Sequence, residues 1–169
     1  EILIGKNPSA IETIDDKILE LAKEDEIYFL VKHMIGDVGD QKTTAINLIE
    51  FSANDLNALN QQIDDLELFL QQDDSGSKAI GYFKPESQKD IDALWSFRKK
   101  GVGLLGNTKG CRRPIPFVED TAVPPHTLSA YIKEFRAILE KHGLSYGMFG
   151  HVDVGCLHVR PALDMQDPK

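Results

Sequence analysis

Phe149-Gly150-His151-Val152-Asp153-Val154-Gly155-Cys156-Leu157-His158-Val159-Arg160-Pro161 is the stretch on which the reading of this chain turns. His151 and His158 stand seven residues apart. On one straight strand that spacing sends them to opposite faces, because side chains alternate with a period of two. A helix would gather them on one face, yet Gly155 and the β-branched neighbours disfavour a helix. Two short strands joined by a tight turn over residues 153–155 is the geometry expected, with both imidazoles meeting near the turn. Paired neutral imidazoles are common ligands for zinc and similar ions, although two ligands alone hold a metal weakly.

Outward from this hairpin, 169 residues suffice for one domain with a real core. A hydrophobic content of 41% and a charged content of 27% are those of an ordinary folded protein. No apolar run has membrane-spanning length, and nothing resembles a signal peptide. The chain begins at Glu1 without Met, and it reads as a piece of a longer protein. Only Cys111 and Cys156 occur. A disulfide framework is therefore not expected, and a reducing, cytoplasmic setting is.

Net charge is −8, unevenly distributed. Between residues 98 and 118 lie six cations (Arg98, Lys99, Lys100, Lys109, Arg112, Arg113) and no acid, which leaves the remainder at −14. An acidic body argues against non-specific nucleic-acid binding. A basic stretch within it suits a small anion such as a carboxylate, or is simply a solvated loop.

Along the chain, Ser9 and Glu12 form a capping-box spacing, and Ile11, Ile14, Ile18 and Leu21 predict a helix running to about Lys23. Residues 26–35 fit a strand or a helix. Residues 45–51 predict a strand. Leu56, Leu59, Ile63, Leu66 and Leu70 predict a helix capped by Ser52 or Asn54. Asp73, Asp74, Ser75 and Gly76 break it, and residues 78–83 predict a strand. Ser87 starts a helix whose stripe is Ile91, Leu94, Trp95, Arg98 and Val102, blurred at its end by Gly101, Gly103 and Gly106. Residues 117–123 predict a strand between proline-marked turns. Pro124-Pro125 leads into a helix carrying Leu128, Tyr131, Ile132, Phe135, Ile138 and Leu139, stopped by Gly143. The fold class expected is α+β, with helices on one face of a mainly antiparallel sheet. Residues 1–43 are expected as a helical lead-in segment. Residues 44–169 are expected as the main domain, cut before its C-terminal end.

Three ordered motifs carry a family resemblance. Gly150 to His158 resembles the Gly-His-x6-His motif of the C-terminal, substrate-binding (cap) domain of FAD-linked oxidases of the D-lactate dehydrogenase and glycolate oxidase family. Phe117-Val118-Glu119-Asp120-Thr121-Ala122-Val123-Pro124-Pro125 resembles that family's strand before its cap helix. Leu94-Trp95-Ser96-Phe97-Arg98-Lys99 resembles the helix that brings an arginine to the substrate carboxylate. The hairpin wording is most similar to the long fused flavin and iron–sulfur enzymes that oxidise D-2-hydroxy acids.

This resemblance implies an α+β, ferredoxin-like cap and a flavin-dependent oxidation of a 2-hydroxy acid such as D-lactate, glycolate or D-2-hydroxyglutarate. FAD would be bound mainly by another domain of the same polypeptide, with an iron–sulfur cluster possible elsewhere in it and a peripheral place at the inner membrane open to it. His151 and His158 would be the catalytic ligands of a divalent metal, zinc for preference, and Arg98 would bind the substrate carboxylate. The family's further ligand, a Glu in a Glu-His-Gly motif, does not occur in this sequence. The sequence also departs from its relatives at Val118, Cys156 and Arg160, where the family has Lys, Asn and Asn. Arg160, two residues after His158, shares a face with it on a strand. It could clamp a second carboxylate, with Arg112 or Arg113 sharing an end, or pair with Asp153 or Asp164. Two other classes remain open on the residues alone. One is an anion-binding sensor module without chemistry. The other is a zinc-dependent hydrolase with Asp153 as its nearest third ligand.

Overall fold

A computed structural model describes residues 2–73, 78–107 and 110–167. Lys109 of the basic stretch, and Asp74, Ser75 and Gly76 of the expected helix break, lie outside the described residues. Among the described residues there are six strands: β1 (Ala10–Asp15), β2 (Ala45–Glu50), β3 (Arg113–Pro114), β4 (Val118–Ala122), β5 (Tyr146–His151) and β6 (Cys156–Leu163). The helices are α1 (Asp16–Lys23), α2 (Glu26–Ile35), α3 (Leu56–Gln72), α4 (Gln88–Leu104) and α5 (Leu128–Lys141). The sheet runs β2-β1-β5-β6-β3, β4 also pairs with β6, and the pairings between these strands are antiparallel.

The expected hairpin forms. His151 faces Cys156 and Phe149 faces His158 across β5 and β6, joined through residues 152–155. Gly155 closes the turn at φ +72, and a Cβ there would meet the Val123 carbonyl oxygen at 1.9 Å. Both its conformation and its space therefore require glycine.

The first element is a correction. Ser9 and Glu12 do not cap a helix; residues 10–15 are a strand lying between β2 and β5, and the helix begins only at Asp16. The β-branched Ile11, Thr13 and Ile14, set by pairing between two strands, outweigh the capping-box spacing. Asp15 is the actual N-cap, accepting from the Ile18 amide at 3.1 Å, while its other oxygen accepts from the Met148 amide at 2.7 Å. One buried carboxylate thus stitches α1 to β5, and burial pushes its pKa up to about 6. The segment expected as a lead-in supplies an inner strand and two helices of the core.

Residues 26–35 resolve as a helix because Asp25 caps Ile27 at 2.9 Å. Asp55, not Ser52 or Asn54, caps α3. Residues 78–83 form no strand. In α4 the inward face is Phe97, Gly101 and Leu104, rotated from the expected stripe. Gly101 is a contact rather than a weak point, since a Cβ there would come within 2.9 Å of Ile18 Cγ2. It lets α1 and α4 approach closely.

The α+β class and the antiparallel sheet stand, but helices use both faces. Ile14 and Phe149 face a core built with Ile18, Leu19, Val31 and Phe97 from α1, α2 and α4. Met148, next to Phe149, faces the opposite cluster with Leu157, Val159 and Leu139 of α5. The alternation of β5 and β6 feeds both clusters.

Candidate metal and carboxylate site

The α4 side of the sheet carries a cavity of about 410 Å³ lined by Glu12, Trp95, Arg98, Glu119, His151, His158 and Arg160, with Phe149 at its base. Register explains the gathering. Glu12 stands opposite His151, His151 opposite Cys156, and Phe149 opposite His158, so these side chains share one face. Arg160, two residues past His158, shares it as well. Helix α4 crosses above and lowers Arg98 into it.

Glu12 is the centre of this arrangement and only 6% exposed. Its Oε2 accepts from Arg98 Nε at 3.0 Å and Nη2 at 2.9 Å. Its Oε1 lies 2.6 Å from His151 Nδ1. Glu12 already accepts from Arg98, so the pairing makes Nδ1 the donor to Oε1, and a neutral ring so oriented carries its lone pair on Nε2. Sequence reading missed this residue because Glu12 looked like the third position of a capping box.

The His151 and His158 rings meet edge to face with centroids 5.4 Å apart, as the hairpin required. His158 stacks on Phe149 at 4.7 Å, and burial lowers its pKa, keeping it in the neutral form that a metal needs. His158 Nδ1 is buried and lacks an aligned hydrogen-bond partner, although Asp120 Oδ1 stands 3.2 Å away.

That neighbour is there because of a bulge. Three steps along β4, from Val118 to Thr121, oppose two along β6, from Val159 to Leu157. Asp120 takes up the extra residue at φ +57. Consecutive acids that would point to opposite faces now serve one side, Glu119 toward Arg160 and Asp120 toward His158. Asp120, Cys156 and His158 also bring an oxygen, a sulfur and a nitrogen within 4.8 Å of one another. Burial, first of all, raises the Cys156 pKa, so the sulfur starts as a thiol.

Arg98 and Arg160 both approach the Phe149 ring, with their Cζ atoms 5.3 and 5.6 Å from its centroid. Arg160 Nε donates to Glu119, rather than to the Asp153 or Asp164 considered from sequence, and Nη1 reaches the Val102 carbonyl at 3.4 Å. Arg112 and Arg113 are not brought here. Both are exposed; Arg112 Nη1 donates to the Gly143 carbonyl at 3.2 Å, and Arg113 pairs in β3 opposite Leu163. Lys100 pairs with Asp25 at 2.7 Å. The basic stretch therefore disperses, leaving Arg98 and Lys99 at the cavity.

The donor set fits a divalent ion: two imidazoles, His158 kept neutral by burial and His151 contacted at Nδ1 by a carboxylate, in a cavity with room for oxygen ligands. Positive guanidinium groups beside it fit carboxylates.

Among families of known proteins, FAD linked oxidases, C-terminal domain, match residues 3–169. A D-2-hydroxyglutarate dehydrogenase of Pantoea ananatis is 47% identical over 171 residues, covering 99% of this chain and 16% of that protein. The D-2-hydroxyglutarate dehydrogenase of Escherichia coli K12 is 48% identical over 167 residues, covering 95% of the chain and 16% of that protein. One from Pseudomonas putida is 45% identical over 168 residues, covering 98% and 16%. The chain thus spans about one sixth of the length of these relatives. Among the described residues no helix is long and apolar enough to cross a membrane.

Proposed function

The chain belongs to the FAD linked oxidases as their C-terminal domain, and from that premise we propose that it is the substrate-binding part of a flavin-dependent D-2-hydroxyacid dehydrogenase acting on D-2-hydroxyglutarate. The observation that carries this reading is that Arg98 and Arg160 both reach the Phe149 ring in the cavity that also holds His151 and His158. Two guanidinium groups in one cavity suit a dicarboxylate better than D-lactate or glycolate.

In this reading the substrate lies over Phe149 with one carboxylate on Arg98. Glu12 occupies the Nε edge of Arg98, and the outer Nη edge remains for the substrate. Arg160, drawn aside by Glu119, receives the second carboxylate through Nη2. His151 and His158 hold the metal, zinc for preference. Such a metal would supply Lewis acidity toward the hydroxyl, and FAD held by another domain of the same polypeptide would serve as hydride acceptor. Trp95 and Phe149 wall the cavity and limit water near the reacting carbon. An iron–sulfur cluster elsewhere in the polypeptide would carry electrons onward. A cytoplasmic setting, with peripheral attachment to a membrane, is part of the same proposal.

The Asp120–Cys156–His158 grouping favours one other reading, a metal centre on Nδ1 of His158 serving hydrolysis. Anaerobic mixing of the full-length protein with D-2-hydroxyglutarate separates the two. Loss of flavin absorbance, abolished by His151→Ala and by a chelator, is expected. An unbleached flavin, with zinc-dependent ester cleavage instead, would overturn the dehydrogenase reading.

A further inference from the structure

Glu12 carries an inference that rests on the metal-and-carboxylate reading above. One oxygen serves a guanidinium from a helix and the other an imidazole from the neighbouring strand. The backbone of Glu12 is paired on both sides in β1, with Leu48 and with His151, so its carboxylate is presented to both partners from one fixed strand position. We propose that Glu12 is the positioning residue of the site, setting the tautomer of His151 and the edge that Arg98 presents with a single carboxylate.

The chemistry is specific. Accepting from Nδ1–H leaves the Nε2 lone pair of His151 free for a metal. Accepting from both Nε and Nη2 takes the side edge of Arg98 and turns its outer edge to the cavity. Glu12→Gln keeps size and shape but has one acceptor instead of two. Its amide oxygen goes to the cationic Arg98, since an amide N–H facing a guanidinium is the worse clash. Its N–H then faces His151 Nδ1, which becomes an acceptor. The imidazole proton moves to Nε2, and the metal loses a ligand although the fold is kept. A purely structural carboxylate would predict little change from so conservative a substitution.

Zinc affinity of the full-length protein, measured by competition with a chelator, is expected to fall about 10- to 100-fold in Glu12→Gln. The ¹⁵N spectrum of histidine-labelled, metal-free wild-type protein is expected to show His151 protonated at Nδ1, identified by its loss in His151→Ala. This second measurement needs no folded Glu12 variant. Wild-type affinity in a folded Glu12→Gln protein, or a His151 protonated at Nε2 in the wild type, overturns the proposal. If His151→Ala loses zinc while Glu12→Gln keeps it, only the role of Glu12 fails. If His151→Ala also keeps zinc, the metal reading fails with it.

Discussion

Asp15 is buried between α1 and β5, and its two amide bonds compensate only part of the desolvation that lifts its pKa from 3.8 to about 6. Unfolded, Asp15 titrates near the ordinary carboxylate value. Between these two values the folded chain therefore holds a proton that the unfolded chain has lost. Stability then falls as pH rises through this window and is level with respect to Asp15 above it. A difference of about two units corresponds to roughly 3 kcal/mol at neutral pH relative to pH below 4. Asp15→Asn removes the titration but leaves one amide donor facing another, so its own cost is about 1–3 kcal/mol from the unsatisfied pair. The informative quantity is the difference between wild type and Asp15→Asn in urea unfolding free energy, followed from pH 4 to pH 7. The wild type should lose about 2 kcal/mol relative to the variant across that range, the rest of the effect lying below pH 4. A pH-independent difference would refute the placement of a charged Asp15 in the interior.

Three further outcomes follow from packing and pairing. Gly101→Val should destabilise by about 1–3 kcal/mol, because its side chain meets Ile18, whereas Gly103→Ala in open space on the same helix should stabilise by about 0.5–1 kcal/mol; thermal melts of both compare them directly. Phe97→Ala, emptying a fully buried ring site, should cost about 3–5 kcal/mol in denaturant unfolding. Glu119→Gln weakens the hold on Arg160, so KM for D-2-hydroxyglutarate should change while KM for D-lactate stays constant in steady-state assays.

The hairpin was legible because its determinants are local: a glycine at the turn and alternating residues on either side. The same local reading misplaced Glu12, since Ser9 and Glu12 satisfy a helix-start spacing whose competitor, pairing with Leu48 of β2 and His151 of β5, is made by residues 36 and 139 positions away. Trp95 and Arg98 were correctly set on one helix face, yet Phe97 fills the core, because which face turns inward depends on the sheet beneath. The pairing of Arg160 with Glu119 was hidden for a related reason. A bulge exists only relative to the strand opposite, and nothing in Val118-Glu119-Asp120-Thr121 alone announces the extra residue. The basic stretch illustrates the limit of charge clustering: Arg98, Lys100 and Arg112, close in sequence, go separately to Glu12, Asp25 and the Gly143 carbonyl.

The central proposal is that Arg98 and Arg160 receive the two carboxylates of one substrate. The most direct measurement is kcat/KM of full-length Arg160→Ala on D-2-hydroxyglutarate and on D-lactate. Loss of one charged hydrogen-bonding partner should lower the first by about 10- to 100-fold and leave the second within about twofold. An equal fall on both substrates would contradict the proposal and leave Arg160 as a support for the hairpin.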